Sequence, residues 1–131
     1  MRNGLLTRGI LWLGTLLFPA LPPLQAAHDL AKQPLTVAAD DAFSTLPLLV
    51  ETQFTLPPAD SYQIIVANQN KAQPWHWEIY TTPSGELEVY LPGFQPAVIA
   101  AGIPVADGRE HAAAMRLTAQ GIVLSVDGRE V

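Results

Sequence analysis

The sequence predicts an all-β domain, an antiparallel sandwich or barrel, and three observations carry that prediction. Leu46, Leu48, Val50, Thr52, Phe54 and Leu56 share one parity while Glu51, Gln53 and Thr55 take the other, which is the pattern of a half-buried strand. Further short apolar runs follow at spacings of roughly eight to twelve residues, each closed by proline, glycine or aspartate. No run beyond the N-terminus is both long enough and free enough of breakers to stand as a helix. A chain of 131 residues, 49% hydrophobic and 15% charged, is sized for one domain around one core.

Met1 to Leu24 reads differently. Arg2 and Arg8 precede an apolar run from Gly9 to Leu21, too short for a membrane span, which needs about twenty residues. Pro19, Pro22 and Pro23 break any helix, and Ala26 and Ala27 offer a cleavage point just before His28. Residues 1–26 are therefore expected to be a signal peptide, and the protein to be exported to the periplasm, cell surface or medium. Its removal leaves five basic residues (Lys32, Lys71, Arg109, Arg116, Arg129) against twelve acidic ones, a net charge of −7. The basic residues are scattered, so nucleic acid is excluded as a partner and anionic membranes are disfavoured. There is no cysteine, hence no disulfide framework, no thiolate metal site and no covalently attached haem.

Residues 27–45 are expected to form a lead-in, with a first short strand at Pro34-Leu35-Thr36-Val37-Ala38 and a loop at Asp40-Asp41. The alternating strand at Leu46–Leu56 stops at Pro57-Pro58. A turn through Ala59-Asp60-Ser61 leads to Tyr62-Gln63-Ile64-Ile65-Val66-Ala67, a β-branched run read as buried on both faces.

The strongest local signal is Trp75 to Leu91, a β-hairpin with Pro83-Ser84-Gly85 as its loop and Gly85 in the left-handed region. Pairing Thr82 with Glu86 sets Ile79 opposite Val89 and Trp77 opposite Leu91 on a dry face. It sets Tyr80 opposite Glu88 and Glu78 opposite Tyr90 on a wet one. Pro92-Gly93 then turns the chain into a looser segment containing Phe94, Val98 and Ile99, which Pro96 keeps from any central strand position. Ala106-Asp107-Gly108-Arg109 predicts a turn, His111 to Leu117 a strand, Ala119-Gln120-Gly121 another turn, and Ile122 to Val126 a strand closed by Asp127-Gly128. The run Ala112-Ala113-Ala114-Met115-Arg116-Leu117 favours a helix in isolation but is too short and too closely bracketed by glycine turns.

The segment from Val105 to Met115 with Asp107-Gly108 and His111, followed by Gly121 to Val131 with Asp127-Gly128, resembles the end of a laminin G-like, concanavalin A-like domain. Glu110 stands at the tryptophan place of that family's Trp-His pair, and Ala113 where valine is usual. Leu48 to Leu56 is similar to the family's first long strand and Trp75 to Leu91 to its central hairpin, so the resemblance covers residues 46–131. More narrowly, His76-Trp77-Glu78-Ile79-Tyr80 with Val89-Tyr90-Leu91-Pro92-Gly93 looks like sandwich modules near the start of large exported bacterial proteins. The resemblance implies a jelly roll of two antiparallel sheets. The seven or eight strands legible here are fewer than such a fold contains, and the expectation is a sandwich incomplete at its C-terminus, first of all through a truncated gene, with a missing C-terminal portion, as in a longer chain with further domains, or pairing with another chain as the alternatives.

For recognition, the wet face of the hairpin supplies His76, Glu78, Tyr80, Glu88 and Tyr90, with Trp75 at the strand entrance. Tyrosines stack on sugar rings and carboxylates accept hydroxyl protons. The alternative for the same residues is a solvated cross-strand ladder, while Trp77 belongs to the core. Asp60, Asp107 and Asp127 are the loop acids that could hold the calcium common among relatives of the fold, although each also suits a tight turn; no other cofactor is indicated. Glu78, Glu86 and Glu88 do not form the Glu-x-Asp-x-x-Glu run of related glucanases, and no nucleophile elbow or phosphate loop occurs. No catalytic residue is assigned. The expected function is that of a non-catalytic exported module binding a glycan or an extracellular or periplasmic protein, or spacing other domains. A fragment of a glycan-active enzyme and a truncated product without independent function are the alternatives.

Overall fold

The computed structural model describes residues 35–69 and 71–131. The chain divides into two units, 1–37 and 38–131. The segment expected to be a signal peptide and residues 27–34 of the lead-in lie outside the described residues. Leu35 to Ala38 have no regular structure, so the first short strand expected there does not form. In its place, Asp40 caps a single 3-10 turn, Asp41–Ser44, its carboxylate accepting the Ala42 N–H at 2.8 Å.

The second unit is an all-β sandwich of two four-stranded antiparallel sheets. Its strands in chain order are β1 (Leu48–Thr55), β2 (Gln63–Asn68), β3 (Trp77–Thr81), β4 (Glu86–Tyr90), β5 (Val98–Pro104), β6 (Glu110–Thr118), β7 (Gly121–Val126) and β8 (Arg129–Glu130). The first sheet runs β1-β6-β7-β8 and the second is the meander β2-β3-β4-β5. The chain changes sheet between β1 and β2 and again between β5 and β6. Among the described residues no helix is long and apolar enough to cross a membrane.

The alternation read in β1 sets the first sheet. Leu48 pairs with Leu117, Val50 with Met115 and Thr52 with Ala113, all turned inward, while Leu49, Glu51, Gln53 and Thr55 are exposed. Residues Ala112 to Leu117 form part of β6, a strand paired on both sides, because two neighbouring strands supply hydrogen bonds that a six-residue helix could not match with its own. Asp127 (φ 49°) and Gly128 (φ 76°) turn β7 into β8 with two consecutive positive φ values, the backbone of a type I′ hairpin that aspartate-glycine favours.

The hairpin of the second sheet has the register that its sequence predicts. Glu78 pairs with Tyr90, Ile79 with Val89 and Tyr80 with Glu88. Thr82 N–H donates to Glu86 O at 3.0 Å, and Gly85 closes the turn at φ 82°. Trp77, Ile79, Leu87, Val89 and Leu91 face Leu48, Met115, Leu117, Leu124 and Val126 in one apolar core. Trp77 is buried, its indole Nε1 donating to Phe43 O at 2.9 Å, which ties the 3-10 turn to β3.

Two strand expectations need correcting. β2 is not buried on both faces: Ile65 is buried, but Ile64 and Tyr62 are exposed, because β2 is the sheet edge and a bulge between Ile64 and Val66 shifts its parity. The looser segment after Pro92-Gly93 contains β5. Val98, Ile99 and Ala100 pair with Tyr90, Val89 and Glu88, and Pro104 with Glu86, on the opposite edge of the sheet. Edge positions tolerate proline, since only one side of the strand must donate.

Thr81 is the one misfit of the dry face. It is fully buried opposite Leu87, and its Oγ1 has no hydrogen-bond partner. Thr81→Val keeps the shape and removes the unsatisfied hydroxyl, so it should raise the unfolding free energy by about 1 kcal/mol in urea denaturation. Ile79→Ala, which empties a site of 0% exposure, should lower it by roughly 2–5 kcal/mol at an unchanged m-value.

Candidate functional site

The face of the hairpin expected to be wet is largely covered. His76 and Glu78 are each 3% exposed and Tyr80 is 8% exposed, while Glu88 and Tyr90 are half-buried. Trp75 stays at the surface, 47% exposed, ahead of the strand. The cover comes from the chain itself. Tyr62, leading into β2, lies against Tyr80 with ring centroids 5.9 Å apart, and His76 lies 5.8 Å from Tyr90. Lys71, in the loop between β2 and β3, sets its Nζ 2.8 Å from Glu78 Oε1 and 5.6 Å from the centre of the Tyr90 ring. Cross-strand alternation alone could not reveal this, because the covering groups come from a loop and an edge strand.

Polar groups on this face are paired unevenly. Tyr80 Oη donates to Glu88 Oε2 at 2.5 Å, and burial together with that carboxylate raises the phenol above its ordinary pKa. Lys71 is raised above its ordinary value chiefly by its hydrogen bond to Glu78. His76 Nδ1 faces Asn68 O at 2.8 Å; a carbonyl only accepts, so Nδ1 carries the proton. His76 Nε2 and Glu78 Oε2 lie 3.3 Å apart without the alignment of a hydrogen bond, and neither has another hydrogen-bond partner. Two nearly adjacent buried atoms are thus left unsatisfied, where most buried polar atoms are paired.

Of the three loop acids, two converge. His111 faces inward on β6 beside Phe54, with Nδ1 2.9 Å from Asp127 Oδ2 and Nε2 3.1 Å from Asp107 Oδ1. Asp127 Oδ1 also accepts the Ala112 N–H, and Asp107 is held by the backbone and guanidinium of Arg109. The two carboxylates bond opposite nitrogens of the ring and so share no coordination point. Asp60 lies elsewhere, lining a small cavity of about 200 Å³ beside the Pro83–Gly85 turn. Among the described residues no group of three histidine, aspartate or glutamate side chains could hold a metal ion.

A concave surface that the sequence did not announce lies on the outer face of the first sheet. It is a cavity of about 510 Å³, within the range of small-ligand sites. Its floor is Ala112 and Ala114 of the central strand β6. Glu51 and Gln53 of β1 rise on one side, and Ser125 and Gly128 stand on the other. The trough exists because two methyl side chains, two residues apart on the outward parity, sit between longer neighbours. That spacing of alanines is the signal which could have found it, but its meaning depends on β1 and β7 lying alongside.

The His111 bridge ties the turn before β6 to the turn after β7 and has a definite pH signature. Asp127 first, then Asp107, raises the imidazole pKa above its ordinary value. Asp107 is held low chiefly by Arg109, and Asp127 chiefly by the Ala112 N–H and then by His111. Stability from charged His111 is fully present below its unfolded pKa, about 6.5, and is lost as pH rises through the higher folded value. Stability from the two carboxylates is present above about pH 4 and is lost as pH falls through their depressed folded values. The melting temperature should therefore peak between about pH 4 and 6.5 and decline on both sides. Asp127→Asn should flatten the alkaline decline while lowering the maximum, as read by thermal denaturation across pH; an unchanged profile would mean that the bridge does not form. Compared with known proteins, the chain matches no family model and no curated protein sequence.

Proposed function

We propose that this chain is a non-catalytic, exported β-sandwich module that binds carbohydrate in the alanine-floored trough of its first sheet. The observation that carries the reading is the trough itself, an open concavity of about 510 Å³ with an apolar floor and hydrogen-bonding walls. Sugars present apolar C–H patches and a rim of hydroxyls. Ala112 and Ala114 offer contact to the first, and Glu51, Gln53 and Ser125 offer acceptors and donors to the second. The proposal places neutral-sugar recognition away from the hairpin face carrying His76, Glu78, Tyr80, Glu88 and Tyr90, which Lys71 and Tyr62 cover.

Carboxylate spacing supports binding without hydrolysis. Glu51, Ala114, Ser125 and Glu130 form one row across the sheet, so the two glutamates are three strand spacings apart, about 14 Å. Glycoside hydrolysis uses a pair roughly 5–9.5 Å apart. Glu110, on the outward parity of β6, lies four residues, about 13 Å, from Ala114 in that row, and Asp127 already serves His111 and the Ala112 N–H. Export is supported by Arg2, Arg8 and the apolar run that follows them. The likeness of residues 46–131 to laminin G-like sandwiches agrees with a binding or spacing role.

The test is affinity electrophoresis and a glycan array with the wild type, Ala114→Arg and Tyr90→Ala. Ala114→Arg fills the floor without disturbing the core, so retention on neutral glycans should drop at least tenfold at an unchanged melting temperature, whereas Tyr90→Ala should bind neutral glycans as the wild type does. Neutral-glycan binding that survives Ala114→Arg, or no binding to any neutral glycan, would remove this reading and favour a spacer.

A further inference from the structure

We infer that the outer face of the second sheet is a binding site for a primary ammonium group, of the kind carried by a 2-amino sugar, and that Lys71 occupies it as an internal stand-in. This site lies on the opposite sheet from the trough and does not depend on it.

Three observations meet here. The first is the ion already present. Lys71 Nζ lies 2.8 Å from Glu78 Oε1 and 5.6 Å from the Tyr90 ring centre, the carboxylate-and-aromatic surrounding that suits an ammonium. The second is the asymmetry of that pair. The Glu78 side chain is 4% exposed, fixed on a strand between β2 and β4, while the Lys71 side chain is 63% exposed and reaches in from a loop. The carboxylate is part of the built structure; its cation arrives on a flexible four-carbon stem. The third is the remaining vacancy in hydrogen bonding. Glu78 Oε2 and His76 Nε2 are buried without a hydrogen-bond partner, 3.3 Å from each other, an ion-pair contact only when the ring is protonated.

An ammonium has three donors, so one that sits deeper than Lys71 can bond Oε1 and Oε2 together, which the present geometry does not achieve. A sugar carrying that ammonium would bring a ring to lie on half-buried Tyr90 and hydroxyls within reach of half-buried Glu88. Guanidinium and quaternary ammonium ions fit less well, the first being planar and broad and the second having no donor for Oε2. Glucose offers no cation to a buried carboxylate. The selectivity expected is glucosamine and small alkylammonium ions over glucose and tetramethylammonium.

The experiment is chemical rescue of the full chain. Lys71→Ala vacates the cation position, and melting temperature is followed against n-propylammonium chloride, glucosamine hydrochloride, tetramethylammonium chloride and glucose at constant ionic strength. The first two should raise it saturably, on the order of 5–10 °C at ten times the dissociation constant, and the last two should not. Lys71→Ala/Glu78→Gln should show no rescue. No shift in Lys71→Ala, or the same shift in the double variant, would overturn the site. Should Lys71→Ala not fold, the wild type decides. Glucosamine should displace Lys71 and move the Tyr90 and Glu78 resonances with at least tenfold greater effect than glucose, and equal effects would overturn the site. Ala114→Arg should leave the rescue intact, so loss of trough binding and loss of ammonium binding are separate results.

Discussion

A strand whose five residues, Trp77 to Thr81, are all buried must accommodate polar side chains on a face that a sandwich ordinarily leaves to water. The inner side of β3 presents little difficulty, since Trp77 and Ile79 enter the common core. Glu78 and Tyr80 point the other way, and an isolated carboxylate or phenol there would be costly to desolvate. Much of the second sheet can be read as the answer to that constraint. Glu88 on the neighbouring strand accepts from Tyr80, Tyr62 covers the Tyr80 ring, and Lys71 reaches back over Glu78 and Tyr90. The loop between β2 and β3 is held by the same economy of contacts: Asn68 Nδ2 donates to Phe43 O and to Trp75 O, at 3.0 and 3.3 Å.

How far the sequence could be read follows from the range of the interaction involved. The register of the β3–β4 hairpin was legible because it depends on seven neighbouring residues and a glycine that must take positive φ. The inward and outward parity of β1 was legible from its alternation. β5 was missed because Pro96, Gly102 and Pro104 argue locally for a loop, and only the free edge of β4 turns the segment into a strand. The short strand expected at residues 34–38 failed for the opposite reason. Its composition suited a strand, but Leu35 to Ala38 pair with no neighbour in either sheet.

The site divides in the same way. The residue types of the hairpin face were identified correctly, yet their exposure was not, because Lys71 and Tyr62 lie outside the hairpin. The trough was invisible for a stronger reason. Ala112 and Ala114 belong to a run that locally favours a helix, and they become a floor only when Gln53 and Glu51, some sixty residues earlier, take their places opposite. Pairing of that separation has no local signature. His111 lies between these cases. Its place at the start of a strand was legible, whereas the pincer formed by Asp107 and Asp127 required two turns to meet at one end of the sheet.

The two outer faces treat the chain's acidity in opposite ways. Among the described residues acids greatly outnumber bases, and two of the four bases are committed: Arg109 to Asp107, and Lys71 to Glu78. Arg109 supports a bridge between two turns, so its loss would loosen one end of the first sheet. Lys71 meets one oxygen of Glu78 on the outer side of β3, and His76 Nε2 lies 3.3 Å from the other. A face organised around one buried charge and one movable counter-charge is selective by construction. Neutral groups leave Glu78 uncompensated, anions are repelled by Glu78 and Glu88 together, and a cation must be small enough to stand where the Lys71 ammonium stands. The trough carries no such requirement, because its floor is apolar and Glu51 at its side is already solvated. The recognition proposed on the first sheet therefore rests on shape and hydrogen bonding, and that proposed on the second on charge.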